Sequence, residues 1–518
     1  MKNMRSLLLT FVALFGLIAT SCINDDFTDS PAERLIFSTD TVAFDTVFTG
    51  VGTPTARLVV RNPNKKGVTI SRIAFRNPDT RFSLNVDGMS GSTFSDVEIR
   101  GRDSIYIFIE CFIPESQGAE PSLTADQLDF TLANASQTVE VEAWGQNVRR
   151  LRGLRLEQDM TLTPEMPYVV FDSLSVEQGA TLRILPGVKL LFHDKALLAV
   201  RGRLEAVGEP GRLIDMRGDR LDNVLPDVGY DILAGQWRGI RFAPESFDNR
   251  LEYVDMRSTV AGVTVDSCGT LDRRKLLIVN SWLHNSQATA LDSRHAWVDA
   301  AGVCFSDAAE AVVRLTGGRH DFSQCTIANY YLFAISPEPM LSLYHCLPEE
   351  ADGSAAPLMK ASFANGIIYG MTSSINVKTL EGTDVFMRNI LFKETGSDDD
   401  HFISCLWDSD PLFLTVRDDY YFNYRLKAGS PAIGAGNPAY VSELTVFDID
   451  GVDRLAGGNP TLGAYAYIEP SDTVTGAGMP RATVSWKQMP VTNDATPRIT
   501  PAASSAVASR GDRRSSTL

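Results

Sequence analysis

Three tripeptides, Leu283-His284-Asn285, Phe305-Ser306-Asp307 and Ile327-Ala328-Asn329, recur at 22-residue spacing, each with an apolar residue two places before an amide or an acid. A repeat this short cannot bury an apolar face alone and must stack on a copy of itself, which makes it one coil of a solenoid. Stacking would set Asn285, Asp307 and Asn329 in a row about 4.8 Å apart, where their side chains can hydrogen-bond along the axis and satisfy turn backbone. The expected role of the row is structural, an internal ladder; ligand binding is the alternative.

The same texture begins near Arg150. Leu174/Val176, Leu182/Ile184, Val188/Leu190/Phe192, Leu198/Val200 and Leu204/Ala206 are alternating apolar pairs joined by Gly179, Pro186-Gly187 and Gly202. Strands so short do not make independent hairpins. Their alternation sends one set of side chains into a bore and the other into solvent. Helical periodicity is almost absent.

The segment from Gly179 to Val188, followed by Gly235-Gln236-Trp237-Arg238-Gly239-Ile240-Arg241-Phe242, resembles the opening coils of right-handed parallel β-helix proteins of the pectate-lyase-like kind. Asp410-Pro411-Leu412-Phe413, Gly429-Ser430-Pro431-Ala432-Ile433-Gly434, Asp448-Ile449-Asp450-Gly451-Val452-Asp453-Arg454 and Leu462-Gly463-Ala464-Tyr465 resemble the closing segment of secreted bacterial β-helices. That resemblance implies a cap on an exposed last coil. Past Glu469 the chain turns Thr-, Ser-, Ala- and Pro-rich and reads as a disordered tail, 469–518.

Ahead of the solenoid, Val68–Ile73, Phe82–Val86, Ile105–Ile109 and Val139–Ala143 alternate at period two, and Asn62-Pro63-Asn64 and Asp87-Gly88 mark turns. About seven such strands argue an immunoglobulin-like sandwich over 35–150. Phe44-Asp45-Thr46-Val47-Phe48-Thr49 and Ala143-Trp144-Gly145-Gln146 resemble domains that precede larger modules in Bacteroidetes lipoproteins, which implies a spacer.

Lys2 and Arg5 precede the apolar run Leu7 to Ile18, which ends in Ala19-Thr20-Ser21-Cys22. The run is short for a membrane span of ~20 residues and reads as a secretory signal, residues 1–21. It resembles bacterial lipoprotein signals, which implies that the Cys22 thiol carries a diacylglycerol. An acidic tether, 22–34, follows; its Asp25-Asp26 is similar to the signal that sends Bacteroidetes lipoproteins to the outer cell face. The expected location is the outer membrane, lipid-anchored and exposed at the cell surface. The chain's 64 Asp+Glu against 48 Lys+Arg exclude nucleic-acid binding by bulk charge.

Candidate chemistry is sparse. Cys304, Cys325 and Cys346 lie 21 residues apart, but the 22-residue register aligns Val303 with Cys325, leaving Cys304 on the opposite face. Cys325 and Cys346 are then the nearer neighbours, as a disulfide or as buried thiols. No Cys/His cluster with zinc spacing is present, and the metal expectation is none. Arg273-Arg274-Lys275 resembles the Arg-x-Lys of polygalacturonase-like enzymes, whose other motifs are missing; a solvated basic turn is the simpler reading. Asp448 to Asp453 has carboxylates at alternate positions, so calcium is the one cofactor considered, against a turn-stabilising role. Trp237, Trp282 and Trp297 are candidate sugar-stacking rings or, alternatively, packing residues.

The expectation is an all-β protein, an immunoglobulin-like sandwich followed by a right-handed single-stranded parallel β-helix over 151–468. It would be a monomer whose partners are the membrane, through the lipid, and a polysaccharide. The functional expectation is a non-catalytic glycan-binding or surface-interaction module with no assigned catalytic residue. The alternatives are a polysaccharide lyase or glycoside hydrolase, and a purely structural or adhesive envelope protein.

Overall fold

The computed structural model describes residues 26–469 except 117, 226–227, 346–357, 377–379, 381–382 and 419. The leader, Cys22, Cys346 and the tail from 470 lie outside the described residues.

The protein is all-β, with two N-terminal sheets and one continuous parallel sheet of 24 strands. In the N-terminal unit the alternating segments become strands Gly67–Phe75, Phe82–Val86, Ser104–Cys111 and Ser136–Gln146. Inward residues of these strands and of Ser122–Leu132, among them Ile70, Leu84, Ile107, Phe130 and Val141, make one core between the sheets. Asp87 and Gly88 both take left-handed φ (49° and 88°), which closes the tight turn after Val86. Phe27–Thr28, in the stretch read as tether, pairs in parallel with Gly67 and Val68. Gly67 is required there, since a Cβ would lie 2.6 Å from the Phe27 ring.

The passage to the parallel sheet has no linker. Ser136–Gln146 ends and Arg149–Leu156 begins after two residues. Phe48 and Val148 pack against Val169, Phe171 and Leu191, and Arg150 reaches back to the Thr49 carbonyl and to Glu115.

From Arg149 each strand pairs chiefly with the strand three places on, so the chain coils with three strands per turn and three sheet faces, the topology of a parallel β-helix. The first face runs through Leu197–Val200, Gly239–Phe242, Val263–Val265, Leu291–Arg294 and Val313–Thr316. The second runs through Arg203–Val207, Asn249–Glu252, Leu276–Val279, Trp297–Ala301 and Gly318–Ser323. The third runs through Ile214–Gly218, Val254–Thr259, Trp282–Ser286, Cys304–Ala308 and Thr326–Asn329. Leu283, Phe305 and Ile327 are register partners, so the 22-residue spacing is the coil. They belong to a bore packed with Leu, Ile, Val and Phe, where each fully buried side chain contributes roughly 1.5–3 kcal/mol.

The corner between the second and third faces is made by one left-handed residue per coil: Tyr253, Asn280, Gly302, Gln324, Asn365 and Asn389. A single αL residue turns the chain sharply without a loop, which favours Asn and Gly. The closing segment follows this corner. Asn389 and Asn365 bond to the carbonyls of Ala435 and Asn437, the Arg454 guanidinium bonds to the carbonyls of Gly463 and Ala464, and Asn280 bonds to the carbonyl of Phe447. The segment's Phe413, Tyr424, Leu426, Ile449, Leu462 and Tyr465 cover outward residues of the third face, Cys304, Ala328, Ile367 and Leu391. It therefore lies along the side of the coil stack, where the resemblance implied a cap on its end.

Candidate functional site

Two outer faces carry chemistry. On the second face the register places Leu277, Asp299, Asp321, Ser362 and Phe386 in one column and Trp297, Arg319 and Lys360 in the next. Asp321 is exposed, and Trp297, Asp299, Arg319, Ser362, Phe386 and Arg388 are half-buried. Arg319 stacks over the Trp297 ring at 4.1 Å, a cation–π contact between neighbouring rungs. Asp299 is fully engaged: Trp297 Nε1 donates to its Oδ1 at 2.8 Å and Arg274 Nη1 to its Oδ2 at 3.1 Å. Partial loss of water to the side chains around it, and then Asp299 one rung away, push the Asp321 carboxyl above its usual value, against the pull of Lys360, Arg319 and Arg388.

On the third face, two columns of charge stand side by side. Asp215 and Asp255 are register partners, followed by Trp282; Arg217 and Arg257 stand beside them, followed by His284. Arg257 binds Asp215 at 2.7 Å and Asp255 at 2.9 Å, and His284 Nε2 lies 3.0 Å from Asp255. Trp282 stacks on His284 with ring centroids 3.9 Å apart. A third carboxylate comes from outside the coils: Asp231, on the 3-10 turn Tyr230–Ile232, meets both Arg217 and Arg257 at 3.0 Å. Burial works against the charged forms of Asp255 and Asp231, but the guanidiniums outweigh it and hold both carboxyls below their ordinary range. Burial and the adjacent Arg257 lower Arg217.

The residues singled out from the sequence distribute as follows. Asn285, Asp307 and Asn329 sit at equivalent positions of consecutive coils and are all buried. Their bonds go mostly to backbone: Asn285 Nδ2 donates to the Asp231 carbonyl (2.6 Å), Tyr330 N donates to Asp307 (3.0 Å), and Asn329 Nδ2 donates to the Ala308 carbonyl (2.9 Å). Asp307 also accepts from the Tyr424 hydroxyl at 2.6 Å. Asn285 and Asp307 are left-handed and Asn329 is not. Cys304 faces the closing segment and Cys325 the bore, both as free thiols.

Trp237 is in the bore, stacked on Phe192 at 3.9 Å. Arg273 and Arg274 pair with Asp248 and Asp299, while Lys275 is fully buried, its ammonium donating to the carbonyls of Ala243 and Pro244. That stretch is thus only partly the solvated turn its sequence implied. Asp448 accepts from the backbone N–H groups of Asp450, Val452 and Ala466, and Asp450 takes Arg425 through both oxygens, so these carboxylates are spent on a turn. Among the described residues no group of three or more His, Cys, Asp or Glu is placed to hold a metal ion.

Sequence reasoning missed both charge columns. The third-face column has no fixed spacing, because residues 219–236 are inserted between its first two rungs; the outward strand positions beside the bore residues were the available signal.

No family model matches the chain, and no curated protein matches it. Among solved structures, it is similar to a protein of unknown function from Porphyromonas gingivalis W83 (14% identity over 25% of this chain and 60% of that one, TM-score 0.17). It is also similar to PapD-like domain 7 of human CEP192 (12%, 25% and 94%, TM-score 0.17) and to a family 123 glycoside hydrolase from Clostridium perfringens (12%, 22% and 26%, TM-score 0.15). The chain thus spans 60% of the Porphyromonas protein's length. Likenesses this slight carry no argument about fold or activity.

Proposed function

We propose that this chain is a lipid-anchored protein of the outer membrane, exposed at the cell surface, that displays a right-handed parallel β-helix as a non-catalytic binding surface for an extended glycan. The address rests on the sequence that ends in Cys22. In this reading the N-terminal sheets form an immunoglobulin-like spacer, and their direct splice to the coils makes it a stiff one.

The observation that carries the glycan reading is the open second face. Trp297 and Phe386 give apolar ring surface, and Arg319, Lys360, Asp321 and Ser362 give hydrogen-bonding groups on successive rungs. A polymer lying along the axis meets a new set about every 4.8 Å.

A hydrolase is the second reading, favoured by Asp299 and Asp321 on adjacent rungs. Hydrolysis of a glycosidic bond needs two carboxyl groups free to act as acid and base or nucleophile. Asp299 has both oxygens committed to Trp297 and Arg274, which favours binding over cleavage.

The test is a panel of acidic and neutral polysaccharides offered to the soluble portion, 23–518, with and without calcium. Retardation in glycan-containing native gels without new reducing ends or unsaturated products supports the binding reading. Product formation replaces it with the enzyme, and silence in every channel with a structural role.

A further inference from the structure

The chain enters its first sheet beside a cluster of cations. The Gly67 N–H donates to the Asp26 carbonyl at 2.8 Å, and Phe27 pairs with Gly67 in parallel. Parallel partners start from the same end of a sheet, so the chain before Phe27 leaves it next to the chain before Gly67, which is Lys65-Lys66. Ile99 lies opposite Val68 in antiparallel register, which carries Arg100 and Arg102 out at that end too.

A buried amide ties these loops together. Asn62, with no exposed surface, donates through Nδ2 to the carbonyls of Lys66 (2.8 Å), Ile99 (3.0 Å) and Arg100 (3.1 Å). Arg102 N donates to the Asn64 carbonyl at 2.9 Å, and Asn64 Nδ2 to the Arg34 carbonyl at 3.3 Å. Arg34, Lys65, Lys66, Arg100 and Arg102 are all exposed, and the carboxylates of the same stretches are Asp26, Glu33 and Asp103. Among the described residues, Arg34, Lys65, Lys66 and Arg102 have no ion-pair partner. On a chain with 64 Asp+Glu against 48 Lys+Arg, this end is locally positive, and salt screens the remaining acids beyond about 8 Å.

The opposite end of the sheet leads to the coils. Gly67–Phe75 runs antiparallel to Ser122–Leu132, which runs antiparallel to Ser136–Gln146, so the splice at Arg149 lies at the far end from the cations. Cys22 precedes Asp26 by four residues, a reach of about 14 Å even when fully extended. A lipid on Cys22 therefore holds the positive end against the bilayer.

We propose that Arg34, Lys65, Lys66, Arg100 and Arg102 form the membrane-facing rim of the protein, seated on the phosphates of anionic lipid headgroups around the anchor. The orientation rests on the reading of Cys22 as the lipidated residue. Clustered Lys and Arg are drawn to an anionic bilayer surface, and such a patch adds the second attachment that makes a lipid anchor stable.

The test uses the soluble chain, 23–518, which carries no lipid, so a failed rim is distinguishable from an unlipidated Cys22. In sedimentation it is expected to bind vesicles of phosphatidylcholine with phosphatidylglycerol, to be released by salt, and to ignore vesicles of phosphatidylcholine alone. Each of Lys65→Gln, Lys66→Gln and Arg102→Gln should weaken binding about fivefold, and Lys427→Gln, an exposed cation of the closing segment, should not.

A second arm holds the same chain on vesicles through an N-terminal hexahistidine and a nickel-chelating lipid, which stands in for the anchor. Amide exchange of residues 62–66 and 99–103 is expected to slow on the anionic vesicles relative to vesicles in which phosphatidylcholine replaces the phosphatidylglycerol. Equal exchange on both leaves the rim open to a soluble acidic partner and overturns the proposal. Equal binding to both kinds of vesicle, or folded Gln variants that bind as the parent does, also overturns it.

Discussion

The hydroxyl of Tyr424 donates a 2.6 Å hydrogen bond to the carboxylate of Asp307, joining the closing segment to a coil 117 residues earlier in the chain. Both groups are buried, and Tyr330 N donates to the same carboxylate oxygen. Tyr424→Phe keeps the ring packed against Phe413 and removes only the donor. The expected cost is about 1–3 kcal/mol, because the acceptor left behind cannot reach water. It should be seen as a lower guanidinium midpoint and faster proteolysis within 412–467; a variant indistinguishable from the parent would show the bond to be dispensable.

His320 sits in the second-face strand with no exposed surface, its Nε2 2.9 Å from the Gly317 carbonyl. Burial pushes its pKa down to about 4. Between about pH 4 and its ordinary 6.5 the unfolded chain binds a proton that the folded chain refuses. Stability is therefore complete above pH 6.5 and falls as the pH drops toward 4, by about 3 kcal/mol in all. Denaturation midpoints measured from pH 4 to 8 should show this slope in the parent and lose that share of it in His320→Gln.

On the second face, Trp297→Ala removes the ring under Arg319 and frees one oxygen of Asp299. If the face binds glycan, affinity for any polysaccharide that retards the parent should fall about tenfold, as expected for a lost stacking contact of ~1.4 kcal/mol. Trp237→Phe, in the bore, should leave glycan retardation unchanged while lowering the melting temperature. The reverse pattern would move the binding site elsewhere.

Cys22→Ser should abolish incorporation of labelled fatty acid and release the chain from the membrane fraction. Incorporation that persists in the variant would refute Cys22 as the lipidated residue.

The bore was legible because it repeats a demand: each coil needs an apolar side chain at the same inward place, and Leu283, Phe305 and Ile327 keep that place at a fixed interval. The strands of the two N-terminal sheets were legible by the same alternation. The left-handed corner was not, because Tyr253, Asn280, Gly302, Gln324, Asn365 and Asn389 share a backbone conformation and no side-chain type. The charge columns of the third face failed for a different reason. Asp215 and Asp255 are register partners although extra residues follow Gly218 between their strands, and an insertion erases a period without disturbing the stack.

The course of the closing segment has a mechanical consequence. A bare stack of coils holds each turn only through its neighbours and frays from whichever end is free. Here one stretch of chain grips outward side chains from Tyr253 to Leu391 and bonds to the turn residues between them. It works as a splint. Tension applied beyond Tyr467 would load the buried Arg454 guanidinium and the Tyr424 hydroxyl before it could peel a coil, so the unit should yield in one step when the splint tears.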